Sequence, residues 1–171
     1  YLCSMFQLLE QTNFPPKVKP LMVYDGKCGF CKYWIIKWKK ISGDEIHYIS
    51  YQRAAHKFKD IEEKHFKEAV RLIDSSGRIY NGPDAAFRTF YMKGKVPFLH
   101  LWYEKYKWFR KLTNFLYQWV ADNRNFLFKI SVRLFGKSAR NPQPFWAYYL
   151  IGSIAILLTL ICVYIANSAT Q

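Results

Sequence analysis

Cys28 and Cys31 stand three residues apart, directly after the apolar run Leu21-Met22-Val23-Tyr24 and the turn Asp25-Gly26-Lys27, at the head of a segment with helical periodicity. That placement suits dithiol chemistry. A helix N-terminus carries about half a positive charge and several unpaired backbone N–H groups, so a thiolate placed there is stabilised. Cys28 is therefore the expected nucleophile, with Lys27 and Lys32 acting in the same direction, and Cys31, one turn further on, is positioned to attack a mixed disulfide and resolve it. Asp25 has two readings. It is either a partly buried carboxylate that moves a proton on or off Cys31, or a residue that caps the turn and helix start through its side-chain oxygen. Cys28, Cys31 and Asp25 form the candidate catalytic set.

Two other uses of the cysteine pair compete with this one. Structural zinc takes four ligands and usually a second paired cluster, whereas the remaining cysteines are Cys3 and Cys162, and His47, His56, His65 and His100 are scattered without a ligand spacing. A permanent structural disulfide would close only a tiny loop, and the chain entropy removed by such a loop is small. No metal and no cofactor is expected. The four histidines read as surface residues of strands or helices, and Cys3 as a free thiol.

The flanking sequence supplies the elements that position the pair. Leu21–Tyr24 reads as a buried strand. Residues 30–41 place apolar side chains at Tyr33, Trp34, Ile36 and Trp38 among Lys32, Lys37, Lys39 and Lys40, a helix with one buried side that Ser42-Gly43-Asp44 ends. Residues 46–51 alternate and are rich in aromatic and β-branched side chains, which makes a second strand and a βαβ unit around the Cys-bearing helix. A charged helical stretch is expected over 54–67. Residues 69–74 and 78–80 then flank Ser75-Ser76-Gly77 as an antiparallel hairpin. Pro83-Asp84 opens another helix, to about Lys93, with proline where its missing N–H costs nothing and Asp84 as a first-turn carboxylate.

Tyr24-Asp25-Gly26-x-Cys28-x-Phe30-Cys31 resembles the signature of the DCC family of thiol-disulfide oxidoreductase-like proteins. Leu72-Ile73-Asp74-x-x-Gly77-Arg78-Ile79-Tyr80-x-Gly82-Pro83-Asp84 resembles that family's second block, and Tyr117-x-x-Val120-Ala121-x-Asn123-Arg124 its third. The resemblance covers roughly residues 21–137. It implies an α/β, thioredoxin-like fold and disulfide exchange, and it implies no particular substrate. One departure from thioredoxins stands out: their cis-proline before the third strand faces the dithiol, but here Lys67-Glu68 precedes Ala69, and the nearest prolines, Pro83 and Pro97, follow the hairpin.

The chain of 171 residues carries a net charge of +14, and most of that excess lies between Lys93 and Arg140, where eleven Lys or Arg accompany only Glu104 and Asp122. Trp102, Tyr103, Trp108, Phe109, Phe115 and Trp119 interleave with these cations. Such a mixture suits a membrane surface, since basic residues are drawn to anionic headgroups and aromatic rings to the interface. The alternative is a set of two or three ordinary helices packed on the core with a basic solvated face. Single-stranded nucleic acid could use the same residues, but no nucleic-acid motif accompanies them, and none is expected as a partner. Residues 145–166 run without a charge and at 1.5 Å per residue reach about 33 Å, the hydrocarbon thickness of a bilayer. They read as one transmembrane helix, and Lys129, Arg133, Lys137 and Arg140 before it place the N-terminal domain in the cytoplasm.

The resulting organisation is an N-terminal segment over 1–20, read as a short amphipathic helix; a thioredoxin-like core over 21–95; a basic aromatic helical collar over 96–140; and the membrane helix over 145–166. The leading reading is a single-pass, membrane-anchored thiol-disulfide oxidoreductase acting on a protein thiol substrate. The competing one is an accessory or assembly subunit of a larger membrane-protein complex that uses the fold for docking, because fold alone does not settle function.

Overall fold

Alternation along three short strands divides the core into two layers. The computed structural model describes residues 6–136 and 145–168, with side chains of the last helix described to residue 160. Its strands β1 (Leu21–Tyr24), β2 (His47–Ser50), β3 (Arg71–Ile73) and β4 (Ile79–Asn81) form one sheet in the order β2-β1-β3-β4. β1 pairs in parallel with β2 and antiparallel with β3, and β3 pairs antiparallel with β4. Leu21, Val23, Ile73 and Ile79 point to one face, where Tyr51, Ala54, Phe58, Ile61 and Phe66 cover them. Met22, Leu72 and Tyr80 point to the other, against Ile35, Ile46 and Ala85. Period-two alternation thus gives each side of the sheet its own apolar cover.

The covering elements follow from the connections. Helix α1 (Gly29–Ser42) links the parallel strands β1 and β2, and Gly43 ends it with a positive φ. Tyr51, expected to end the second strand, instead opens α2 (Tyr51–Ala54), and the stretch expected as one charged helix over 54–67 is broken into the end of α2, a 3-10 turn (Ala55–Lys57) and α3 (Glu63–Glu68). The reason is apolar: Phe58 and Ile61 lie between the pieces and turn into the core, which one straight helix of that sequence could not achieve. Helix α4 (Pro83–Met92) starts on Pro83 as its spacing predicts, and α5 (Phe98–Lys105), α6 (Lys107–Asp122) and α7 (Arg124–Phe135) follow.

The described part of the N-terminal segment is extended rather than helical, and Leu2 and Met5 of the expected helix lie outside the described residues. Backbone hydrogen bonds account for the difference. Glu10 accepts from Ile79 N–H at 2.9 Å and Thr12 N–H donates to Gly77 O at 2.9 Å, so the segment runs along the outer edge of β4 and covers strand groups that would otherwise stay unpaired. Gly77 is required there. Its φ is +87°, and a Cβ would stand 2.4 Å from Thr12 O.

Two histidines expected at the surface are buried. His65 is on the buried side of α3, its carbonyl accepting from Arg71, and His100 is only 2% exposed, with Nδ1 2.7 Å from Asp84 Oδ1 and the rings of Tyr80 and Tyr91 beside it. Burial pushes the Asp84 carboxyl above its ordinary value, and the imidazole partner is what makes an inward carboxyl tolerable there.

The chain divides into two compact units, residues 1–127 and 128–171. In the second, Phe145–Ser168 is a single helix, α8. Among the described residues no helix is long and apolar enough to cross a membrane; the span expected over 145–166 continues past Leu160 into side chains outside the described set.

Arg71 is the largest side chain without solvent exposure, at 0%. Its Nε and Nη2 donate to His65 O at 3.2 and 3.1 Å, its Nη1 donates to Asn81 Oδ1, and burial pulls the guanidinium down to about 10. Arg71→Ala leaves the His65 and Asn81 oxygens without these donors. At about 1–3 kcal/mol for each buried polar group left unsatisfied, the loss should reach about 3 kcal/mol, read as a lower denaturant midpoint at unchanged slope. An unmoved midpoint would mean that the arginine's desolvation cancels its hydrogen bonds.

Candidate functional site

The site begins where β1 ends. Tyr24 is the last residue paired with β2, and the chain then turns sharply through Asp25-Gly26-Lys27. Asp25 Oδ1 accepts from Lys27 N–H at 2.9 Å and from Gln52 Nε2 at 2.8 Å, while Gly26 N–H donates to Gln52 Oε1 at 3.1 Å. Gln52 of α2 therefore grips the turn by both ends of its amide. Gly26 has no room for a side chain, since a Cβ would lie 2.6 Å from Ser50 Cβ. Of the two readings of Asp25, its recorded hydrogen bonds are those of a turn cap.

Cys28 is the N-cap of α1, with φ −79° and ψ 115°, and its Sγ accepts from Cys31 N–H at 3.1 Å. A sulfur thus occupies the place usually taken by a serine or aspartate oxygen. Cys28 and Cys31 are joined as a disulfide with their Cα atoms 5.2 Å apart. Lys27 and Lys32 are exposed on either side.

Beyond Cys31 opens a cavity of about 350 Å³ whose wall includes Phe30, Trp34, Phe66, Phe90 and Tyr117 as well as Cys31 itself. Its floor is the segment leading into β3, the place where thioredoxins carry their proline. Here Tyr117 and Arg124 hold that segment. Tyr117 Oη accepts from Val70 N–H at 3.0 Å, and burial raises its hydroxyl above the ordinary tyrosine value. Arg124 donates through Nη2 to Lys67 O at 3.3 Å and Glu68 O at 3.4 Å, and through Nε to Ala121 O at 2.6 Å. Its Nη1 lies 3.9 Å from Cys31 Sγ, a long hydrogen bond of the kind sulfur accepts. Lys67, also in the wall, is paired with Glu63 at 3.0 Å, and that carboxylate holds the ammonium above its ordinary value.

Asp25, Cys28 and Cys31 are thus together in one turn, as their spacing predicts. Gln52, Tyr117 and Arg124 were not singled out as site residues by the sequence. For Tyr117 and Arg124 a signal existed, because both belong to the third block of the resemblance; Gln52 had none, lying between the expected second strand and the charged stretch after it.

A four-stranded mixed sheet with a Cys-x-x-Cys pair at the N-terminus of the helix after its central parallel strand fits a thioredoxin-like domain. The chain matches the family model of the DCC1-like thiol-disulfide oxidoreductases over residues 22–130 and belongs to that family. No curated protein and no solved structure matches it.

Tyr117 gives the site a simple check. Tyr117→Phe removes the acceptor of a backbone N–H at the cavity floor, and should cost about 1–3 kcal/mol while speeding amide hydrogen exchange at Val70. Unchanged exchange at Val70 would mean that the hydroxyl does not hold the floor.

Proposed function

We propose that the protein is a thiol-disulfide oxidoreductase in which Cys28 is the attacking and Cys31 the resolving cysteine. The observation that carries this reading is the N-cap position of Cys28, whose sulfur already accepts a helix N–H, a setting that favours the thiolate once the pair is reduced. In the reducing direction, the Cys28 thiolate attacks one sulfur of a substrate disulfide, forming a mixed disulfide and expelling a substrate thiolate. The Cys31 thiolate then attacks Cys28 Sγ, breaking the mixed bond, closing Cys28–Cys31 and releasing the second substrate thiolate. Two electrons pass to the substrate, and the protons lost by the two thiols end on its sulfurs. A dithiol or low-molecular-weight thiol must reduce the pair again. Asp25 acts in this scheme by holding the turn.

The uncharged run 145–166 and the basic residues before it support attachment of this domain to the cytoplasmic face of a bilayer. There the pair would stand reduced at rest and act as a reductant, an isomerase or a sensor.

The test uses the full chain in native membranes. Cys31→Ser should accumulate mixed disulfides through Cys28 that reductant releases, and Cys28→Ser should accumulate none. If Cys31→Ser traps nothing covalent while the protein co-purifies at fixed stoichiometry with a membrane assembly, the exchange reading fails and an accessory subunit replaces it.

A further inference from the structure

We infer that Arg124 is a catalytic residue of this exchange, its guanidinium holding the Cys31 sulfur as a thiolate; the inference rests on the exchange reading above and adds a residue to it. Cys31 faces an apolar cavity, and an isolated thiolate in apolar surroundings is costly. The helix N-terminus helps Cys28 more than Cys31, because the cap position belongs to Cys28 and Cys31 N–H is already donated to its sulfur. Something else has to stabilise the second sulfur. Among the described residues, Arg124 places a cationic nitrogen, Nη1, 3.9 Å from it.

The ionisable groups around Cys31 support this assignment from each side. Asp25, at the end of β1, has Oδ1 engaged by Lys27 N–H and Gln52. Lys67 of α3 is paired with Glu63, and the Glu68 carboxylate turns to Gln7 N–H and His65. Lys27 and Lys32 project from the outer side of the turn and helix into solvent. Tyr24 and Tyr117 line the wall. Arg124 differs from all of these in being locked from two elements, by Ala121 O of α6 and by the carbonyls of Lys67 and Glu68 at the end of α3. Three main-chain oxygens fix the plane of the guanidinium, so its charge meets the sulfur without reorganisation as the thiolate forms.

The same contact serves both directions. In reduction, it supplies Cys31 as a thiolate ready to attack Cys28 Sγ in the mixed disulfide. In oxidation, a substrate thiolate attacks Cys28 Sγ, the Cys28–Cys31 bond breaks, and Cys31 departs as the thiolate; stabilising that leaving group speeds its departure. The electrons are those of the exchange itself, and Arg124 remains protonated throughout.

Alkylation of the reduced full-length chain with iodoacetamide across pH, read cysteine by cysteine by mass spectrometry, tests the assignment. Arg124→Gln should raise the pH midpoint for Cys31 by about 1–3 units, the range for losing an opposite charge at this separation, while the Cys28 midpoint moves less. Arg124→Lys, which keeps the charge and loses the planar clamp, should recover part of that shift. A folded Arg124→Gln protein with the wild-type Cys31 midpoint overturns the inference, as does an Arg124→Lys midpoint as high as that of Arg124→Gln, which would make the residue a clamp only. If Arg124→Gln does not fold, Arg124→Lys decides: a Cys31 midpoint near wild type supports the inference, and one at the ordinary thiol value of about 8.5 overturns it. Alkylation needs no partner. A low Cys31 midpoint in a protein whose Cys31→Ser variant traps nothing would overturn the exchange reading and the catalytic role with it, whereas a trapped partner with an unmoved midpoint overturns the role of Arg124 alone.

Discussion

The hydrogen bonds that hold β1 between β2 and β3 determine where the dithiol can be. A strand paired on both edges cannot slide by one residue without turning Leu21 and Val23 out of one apolar layer and Met22 out of the other. Register is therefore doubly specified, and the C-terminal end of β1 is a fixed point. The turn after it is short, so Cys28 inherits that fixed position and α1 starts on it. Gln52 completes the arrangement from the neighbouring strand's exit, because the parallel partner β2 ends level with β1 and leads straight into α2. One pairing thus brings to a single place a turn, its clamp and a helix N-terminus.

The second constraint is the buried arginine at the sheet's other junction. Arg71 begins β3 and opposes Val23 across the ladder, and its guanidinium ties the His65 carbonyl of α3 to Asn81 of β4. Asn81 in turn donates to Leu9 O and accepts from Leu9 N–H, so the N-terminal segment is fastened to the same group. A charge without solvent would be expensive if its donors went unused. Here they meet main-chain and amide oxygens, and the short helix α3 is fastened to the sheet. The last turn of the same helix presents the Lys67 and Glu68 carbonyls to Arg124, which links the sheet's polar core to the cavity beside Cys31.

Much of this was legible from residue types alone, and the failures are as physical as the successes. β1, α1 and α4 could be read because each has both a period and a stop: Gly43 after α1, Pro83 at the head of α4, Asp25-Gly26 after β1. The hairpin of β3 and β4 was read from Ser75-Ser76-Gly77, with β3 shorter than expected at both ends and β4 shifted by one residue. What could not be read depends on partners remote in sequence. The stretch after β2 looks like a charged helix by composition, and only Phe58 and Ile61 needing the core breaks it. The N-terminal segment has helix-compatible apolar spacing, yet an open edge of β4 competes for its backbone and wins. His100 looks like a surface residue until Asp84 is found buried beside it. At the candidate site, Cys28, Cys31 and Asp25 are local, and their placement in one turn was legible from their spacing; Tyr117 and Arg124 reach it across a gap of more than forty residues, where only the resemblance of a sequence block marked them.

The missing proline before β3 shows how one structural task can be met by different chemistry. A proline there shapes the backbone and removes a donor through its own ring. Here the chain enters β3 through Ala69 and Val70, so the Val70 N–H exists and must be satisfied in an apolar surrounding; the Tyr117 hydroxyl does that. The carbonyls just before it need donors as well, and Arg124 supplies them. Satisfying the backbone from helices α6 and α7 has an effect that a proline ring cannot have, because it brings a permanent positive charge to within 3.9 Å of a sulfur. The same residue that replaces a conformational constraint thereby alters the electrostatics of the dithiol. A family that dispensed with the proline would be expected to differ from thioredoxins in the balance of stability between its two thiolates, and not merely in how it grips a substrate.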